Sequence, residues 1–426
     1  MLKGLLASDF IKNVVTLMTG TALGQVIALV LSLVVTRFYT PEMFASLEHF
    51  AMILGILGVV AGGKYEPAIM LPEKSTSALN VFALSLRIGL VVSLVAFVIT
   101  LFFNHQIANA LGNPELANVL FLVGPATFLF VFTTGCTYWF GRKKKYKPVA
   151  SSKTLFSAVS EPSKIGFGAI GFKPGGLVWG VFLGHVFTAF YLWIAFVRDM
   201  KKGFSGVTKT GIRSVAEKYK DYPKFSIAGS LLNRTAQWLH IALFGILYEE
   251  KGLIAVGVLG LCRRILMTPL NVLSTSFSQV YFQRITELKD NQVLRTYYIR
   301  SLLRFALIGA VMIGAVWMIP EGTMTFVFGE GWEPVLPFLH ILVFWFAANF
   351  TVSSLGFILH RVQKQRAMLK LDAVHFILVL VALLGAYQLG MDELGALRAF
   401  VLAKVIYFAI NIIVTLQLLK KNAVSA

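Results

Sequence analysis

Long apolar stretches, separated by short polar segments, run along the whole chain. A helix that crosses the roughly 30 Å hydrocarbon core of a bilayer needs about 20 mostly apolar residues. Windows of that length predict twelve spanning helices, with approximate bounds 13–36, 44–62, 79–103, 117–140, 153–172, 176–197, 226–248, 253–283, 300–319, 335–359, 370–390 and 394–419. The pattern therefore predicts an all-α integral membrane protein.

The composition supports a membrane protein and excludes an ordinary soluble domain. Hydrophobic residues make up 57% of the chain and charged residues 14%, and the mean hydropathy is +0.75. Soluble globular domains carry about 25% charged residues. The two cysteines, Cys136 and Cys262, both lie inside apolar stretches and predict neither a disulfide framework nor a metal site. We expect no cofactor.

Lysine and arginine are unevenly distributed between alternate loops. With the N-terminus in the cytoplasm, 29 of the 39 basic residues fall in predicted cytoplasmic segments, three in external loops and seven within spans. Cytoplasmic loops of membrane proteins carry an excess of Lys and Arg. Both termini are therefore predicted to be cytoplasmic. The same rule accounts for the net charge of +19 without a nucleic-acid partner.

An even number of spans suggests two halves related by an internal repeat. The residues that follow span four (141–147) and span ten (360–366) are both rich in basic or amide side chains. The longest predicted cytoplasmic loop separates the halves. We predict an N-terminal six-helix bundle over 1–198, a linker over 199–225 with a surface amphipathic helix at 212–222, and a C-terminal six-helix bundle over 226–426. The two pseudo-symmetric bundles are expected to face each other across a central cleft.

Seven basic side chains lie within the predicted spans: Arg87, Lys164, Arg234, Arg263, Arg264, Arg398 and Lys404. Each would cost about 2.5–3.5 kcal/mol at the centre of a membrane helix, or on the order of 20 kcal/mol together. They must therefore snorkel to the interface, pair with an acid, or face an aqueous cavity. Arg398 lies near Asp392 and Glu393 and is expected to snorkel. For Arg87, snorkelling and a cavity position are equally open.

Polar residues at helical spacing indicate which cations face a cavity. Arg264 shares a helix face with Asn271, and Arg234 shares one with Asn233 and Gln237. A cavity lined by such groups suits an anion, most naturally a phosphate or pyrophosphate. The predicted substrate-binding residues are Arg234, Arg264, Lys164, Arg87, Arg263, Lys404, Asn233, Gln237 and Asn271. For any one of them taken alone, an interhelical hydrogen bond is an equally good explanation.

Carboxylates within the spans are few. Glu161 lies three residues before Lys164, so the two side chains can pair on one helix face. Glu48 is the candidate for coupling transport to a proton or sodium gradient. Pairing of Glu48 with a buried arginine is the alternative.

Several motifs resemble those of the bacterial polysaccharide (O-antigen-type) flippases, which belong to a superfamily that also contains the MATE drug exporters. They are TGTALGQ at 19–25, TRFYTPE at 36–42, KYEPAIMLP at 64–72, YW at 138–139, and RIL followed by PL within 264–270. Each motif is short, but together they cover nearly the whole chain. The chain lacks an obvious equivalent of the acidic cation site of some MATE exporters.

The resemblance implies twelve helices in two MATE-like bundles and a location in the bacterial inner membrane. It also implies movement of an undecaprenyl-pyrophosphate-linked oligosaccharide from the cytoplasmic to the external leaflet by alternating access, with a cationic lumen for the pyrophosphate. Expected partners are this glycan and membrane lipids, with a polysaccharide polymerase and glycosyltransferases as further candidates.

Three other functions are alternatives. A MATE-type exporter of small molecules has the same fold, but its substrates are usually cations, which a basic lumen would repel. A membrane glycosyltransferase or polymerase generally needs catalytic acids, arginines or histidines in a sizeable external loop. The longest external loops, 104–116 and 320–334, have only about 15 residues, the first has no paired-carboxylate motif, and His105 and His340 are isolated. A channel fits a two-bundle repeat less well than a transporter does.

Overall fold

The computed structural model describes residues 9–200, 206–287, 290–356, 358 and 365–424. Within these ranges the chain is helical and contains no β-strand. Twelve helices have 19 or more residues: α1 (Asp9–Val35), α2 (Pro41–Val60), α3 (Ser75–Phe102), α4 (Val123–Arg142), α5 (Tyr146–Ala169), α6 (Gly175–Asp199), α7 (Ile227–Leu247), α8 (Glu249–Glu287), α9 (Asn291–Trp317), α10 (Val335–Ser353), α11 (Gln365–Gln388) and α12 (Glu393–Val424). The predicted all-α membrane class is confirmed.

Each predicted span coincides with one long helix, but several helices begin earlier than predicted. The largest difference is at α9, which begins at Asn291 rather than near residue 300. The Asp290 carboxylate caps it by accepting a hydrogen bond from the backbone N–H of Gln292 at 2.7 Å. Side-chain capping stabilises polar first turns that hydropathy does not detect.

Nine of these helical segments are long and apolar enough to cross a membrane, by length and composition, among the described residues. The three long helices outside that set, α5, α7 and α8, are the ones that carry Lys164, Arg234, and Arg263 with Arg264. Four of the seven basic residues predicted within spans therefore lie on helices outside this apolar set.

The chain divides into two compact units, Met1–Arg234 and Thr235–Ala426. The division falls inside α7. The linker helix is found at Lys209–Lys218, slightly earlier than predicted. Most of the predicted second basic segment, 360–366, lies outside the described residues.

In the first unit, α5 packs closely against α1 through glycines. A methyl group added at Gly20 would lie 2.6 Å from the Cβ of Ala150, and one added at Gly24 would lie 2.8 Å from the carbonyl oxygen of Lys153. The Thr154 hydroxyl also donates to the Gly20 carbonyl at 3.0 Å. Small residues four apart let two membrane helices approach until their backbones touch.

The opposite side of α5 packs against α6 in the same way. Gly176, Gly180 and Gly184 recur every four residues along α6. A methyl group at Gly180 would lie 2.5 Å from Cγ of Lys164 and 3.0 Å from its backbone nitrogen. The least apolar helix of this unit is thus held between two glycine-bearing helices.

At one end of the first unit, the Asp199 carboxylate connects α6 to α4 and the loop after it. The Asp199 carboxylate accepts hydrogen bonds from Lys143, from Lys145 at 2.6 Å, and from the indole of Trp139 at 3.0 Å. Arg142 donates to the backbone carbonyl of Glu73 at 2.8 Å. Part of the basic run 142–147 therefore has a structural role, in addition to any effect on orientation.

The linker helix Lys209–Lys218 docks onto the same end. Ile212 and Val215 are buried, and the amide of Asn80 donates to the carbonyl of Gly206 at 2.9 Å. The Thr208 hydroxyl caps the helix by accepting from the Gly211 N–H at 2.9 Å. This amphipathic segment is therefore part of the first unit's packing.

The second unit is built from α8 to α12 and most of α7. Helix α10 packs against α8, α9 and α12, and α11 packs against α12. Phe305 of α9 meets Phe350 of α10 edge to face, with ring centroids 5.5 Å apart. Helix α10 thus lies at the centre of this unit and carries many of its buried apolar side chains.

Gly180→Val should destabilise the protein by about 1–3 kcal/mol, because overpacking of a tight contact is costly and the Lys164 backbone cannot move aside easily. Gly166→Val is the matched control, since a methyl there meets nothing within 4 Å. The measurement is the temperature at which half of the monodisperse protein is lost in detergent. Equal midpoints for the two variants would contradict close α5–α6 packing.

Candidate functional site

The turn between α2 and α3 buries a carboxylate near a strained backbone. Gly63 and Lys64 have φ values of 64° and 59°, so a non-glycine residue adopts the left-handed conformation. Glu66 follows in the short 3₁₀ helix Glu66–Met70 and is 6% exposed. A methyl group added at Gly62 would collide with the Glu66 carboxylate. The glycine thus provides the space that the buried acid occupies.

Electrostatic interactions link this turn to the linker and to α7. Burial raises the pKa of the Glu66 carboxyl, and the Lys64 charge partly offsets that. Burial lowers the pKa of the Lys64 amine and the Arg234 charge lowers it further, while Glu66 opposes both. Glu66 and Tyr222 both interact electrostatically with the hydroxyl of Tyr138. We call these five residues (Lys64, Glu66, Tyr138, Tyr222 and Arg234) the Lys64 cluster.

The Lys64 cluster combines two cations with one acid, all within the first unit. Its excess of positive charge suits an anionic group. Sequence reasoning identified Arg234 but missed Lys64 and Glu66 as site residues. The signal was present in the KYEPAIMLP motif at 64–72, in which a basic and an acidic residue flank a tyrosine.

The other predicted cations of the first unit have different surroundings. Nζ of Lys164 lies 2.7 Å from Oε1 of Glu161, and both side chains are buried. The predicted pairing of these two residues is therefore confirmed. The side chain of Arg87 is exposed on α3, Asn233 is half-buried on α7, and Glu48 is buried in α2.

In the second unit, Lys404 is almost fully buried at 2% exposure. Its Nζ lies 2.7 Å from Nε2 of His375, 4.9 Å from the ring centroid of Trp345 and 5.2 Å from that of Phe400. A neutral imidazole and two aromatic faces therefore stabilise this cation. The ring of His240 stacks on Phe400 with a centroid separation of 4.7 Å.

The two arginines of α8 are partly buried. The guanidinium of Arg263 lies 4.5 Å from the ring centroid of Trp238, a cation–π contact, and Arg264 is the next residue on the helix. Gln237 is exposed on α7. Asn271 belongs to α8, but its side chain lies outside the described residues. The described residues of the second unit thus hold three predicted cations on α8 and α12.

The described part of the chain contains no group of three or more His, Cys, Asp or Glu side chains placed to bind a metal ion. Within each unit, the described residues offer positive charge, amides and aromatic faces, which suit noncovalent binding of an anion with polar substituents.

A family model described as polysaccharide biosynthesis protein matches residues 34–337. The chain belongs to this family. A search of curated protein sequences gave no match.

Solved structures similar to this family member are MATE and MOP transporters. An inward-facing multidrug resistance MATE family transporter of the MOP superfamily is 16% identical, with 93% of this chain and 96% of that chain covered and a TM-score of 0.73. An outward-facing structure of such a transporter is 15% identical, with 97% and 96% covered and a TM-score of 0.60. A MOP superfamily transporter from Pyrococcus furiosus, described as having a binding pocket of reverse polarity, is 15% identical, with 96% of both chains covered and a TM-score of 0.60. The family member therefore has the MATE-like fold predicted from its sequence.

The buried Glu161–Lys164 pair of this family member can be tested by a double-mutant cycle. Glu161→Gln or Lys164→Met alone should destabilise the protein by about 3–5 kcal/mol, because each leaves a buried charge without its counter-charge. The double variant should cost clearly less than the sum of the two.

The measurement is again the thermal midpoint in detergent. Glu73→Gln and Lys74→Met provide a matched cycle, because both of these side chains are exposed. Additive effects in the Glu161–Lys164 cycle would show that the two charges do not depend on each other.

Proposed function

We propose that the protein is a flippase that moves an undecaprenyl-pyrophosphate-linked oligosaccharide from the cytoplasmic to the external leaflet. The observation that carries this proposal is the match to the polysaccharide biosynthesis family together with the MATE-like fold. The family supports a glycan as the substrate, and the fold supports a transporter rather than an enzyme. The basic interior supports an anionic link between the glycan and its lipid.

We assign the pyrophosphate to the cations that the sequence predicts within the spans. Arg234 and Arg264 are the primary ligands, and Arg263, Arg87 and Lys404 contribute positive potential. An arginine can hold a phosphate through two parallel hydrogen bonds, which gives both strength and orientation. Lys164 is already paired with Glu161, and Lys404 is enclosed by His375 and aromatic rings. Of these two lysines, we therefore give only Lys404 an indirect electrostatic role.

We include the Lys64 cluster among the residues of the first unit that are proposed to bind the pyrophosphate. Lys64 and Arg234 act on each other electrostatically, so an added phosphate would relieve the repulsion between them. The buried Glu66 limits how much positive charge accumulates when no substrate is bound. This balance suits a site that must release its ligand as well as bind it.

The proposed cycle begins with the lipid headgroup entering from the cytoplasmic leaflet. The pyrophosphate binds the arginines, the sugar hydroxyls bond to Asn233, Gln237 and Asn271, and the polyprenyl tail stays in lipid. The bundles then rock to open outward, as expected for two-bundle transporters. Glu48 is the proposed site of coupling to a proton or sodium gradient.

The cellular setting follows from the same proposal. The protein would lie in the bacterial inner membrane with both termini in the cytoplasm, as the distribution of basic residues predicts. Glycosyltransferases that assemble the glycan and a polymerase that consumes it are the proposed partners.

A small-molecule exporter is the second candidate function. It is favoured by the likeness to a multidrug resistance MATE transporter, at a TM-score of 0.73. A net positive site would bind anionic rather than cationic compounds. The flippase would therefore select an anionic lipid-linked glycan, whereas the exporter would select anionic small molecules.

The two candidates are separated by Arg234→Ala and Arg264→Ala in cells that depend on this protein for surface polysaccharide. We expect the initial rate of polysaccharide export to fall at least about tenfold, since a hydrogen bond to a charged group contributes about 1.5–3 kcal/mol. The lipid-linked glycan should accumulate in the inner leaflet. Arg304→Ala, which removes an exposed arginine of α9, is the matched control and should export normally.

Protein levels are measured in parallel by immunoblot of membranes. Arg→Lys variants should retain part of the activity, because the charge remains while the two-pronged hydrogen bonding is lost. Normal export by both alanine variants would refute the anion-binding role. Unchanged export combined with altered drug resistance would favour the exporter.

A further inference from the structure

A groove with a volume of about 560 Å³ lies on the second unit between α10 and α12, next to the end of α9. Its apolar part is lined by Phe344, Leu402 and Val405. Its other end holds Trp317, His340 and Arg398. The groove is therefore amphipathic along its length.

The polar end contains two groups whose bonding capacity is not used within the described residues. Nε2 of His340 is buried and has no hydrogen-bond partner there. Arg398 is exposed, and the residues that line the groove include no acid to pair with it. The ring of His340 stacks on Trp317 with centroids 4.7 Å apart, which fixes the imidazole at the groove wall. A buried unpaired polar atom is costly, and an exposed guanidinium at the membrane interface attracts anionic headgroups. Both would be satisfied by a single ligand with acceptor oxygens.

The length of the groove fits the headgroup and part of one acyl chain of a single lipid. Arg398 and Val405 are seven residues apart on α12, which places them about 10 Å apart along the helix. That length accommodates a headgroup at Arg398 and the upper part of an acyl chain beyond it. Trp317, at the last residue of α9, lies where indole rings favour the interface between headgroups and hydrocarbon.

We propose that this groove binds a phospholipid with a net negative headgroup, with its phosphate at Arg398 and His340 and one acyl chain along Leu402 and Val405. The lining contains one cation and no acid, so an additional ammonium in the headgroup would gain no partner there. The excess of Lys and Arg in the predicted cytoplasmic loops predicts that the polar end of the groove lies in the external leaflet. The site is separate from the proposed pyrophosphate site and does not depend on the proposed function.

The test uses the full-length protein in nanodiscs of zwitterionic phosphatidylcholine with a minor fraction of a lipid whose acyl chains are brominated. Bromine quenches a nearby indole, and the Trp317 signal is the fluorescence difference between each protein and its Trp317→Phe counterpart. Brominated phosphatidylglycerol should quench Trp317 with about fivefold higher apparent affinity than brominated phosphatidylcholine, since one basic residue near an anionic lipid contributes about that factor.

Arg398→Gln should abolish this preference, and Arg398→Lys should retain most of it. Arg304→Gln, which removes an exposed arginine of α9 outside the groove, should leave it unchanged. Equal quenching by the two lipids in the wild type, or loss of the preference in Arg304→Gln as well, would overturn the proposal. Displacement of phosphatidylglycerol by an equal fraction of polyprenyl phosphate would assign the groove to the carried lipid instead and would also overturn it.

Discussion

Hydrocarbon cannot solvate a charge, so every basic side chain within the membrane helices must have a partner or reach water. The structure meets this requirement in different ways. Lys164 is neutralised by an acid one helical turn away. Lys404 is stabilised by a histidine and two aromatic faces, and Arg263 by the ring of Trp238. These three environments differ in the net positive charge that remains on the helix. The lysine–glutamate pair is neutral, whereas the α8 and α12 cations keep the interior basic.

The glycine contacts of the first unit are a consequence of the same requirement. An ion pair is shielded from lipid only if neighbouring helices close tightly around it. Lys164 is held on one side by Gly180, and its backbone carbonyl accepts a hydrogen bond from the Tyr39 hydroxyl at 2.9 Å. The glycines that recur on α1 and α6 therefore let these helices pack closely around α5, which carries the polar and charged side chains. Close packing and buried charge are parts of one arrangement.

The fold could be predicted from the sequence because spanning helices follow from hydropathy and loop charge, which are local properties. The three helices without a long apolar window, α5, α7 and α8, are still recognisable because omission of any of them would break the alternation of basic loops. Helix ends were less accurate, as at α9, because Asp290 caps polar turns that extend beyond the apolar segment.

The site was only partly predictable. The Glu161–Lys164 pair follows from a three-residue spacing on one helix. The contact between Lys404 and His375 joins residues 29 apart on two helices. The electrostatic interaction of Arg234 with Lys64 links α7 to a turn distant in the sequence. No local spacing rule predicts such contacts, because they depend on how the helices pack.

The central claim is that Arg234 and Arg264 face water rather than lipid. It is tested most directly by replacing each with cysteine in a protein whose native cysteines, Cys136 and Cys262, both fully buried, are changed to alanine. The account predicts reaction with a charged, membrane-impermeant methanethiosulfonate, faster for the anionic than for the cationic reagent, because the neighbouring cations remain. Reaction with only a lipid-soluble maleimide would place both positions in the hydrocarbon and contradict the account.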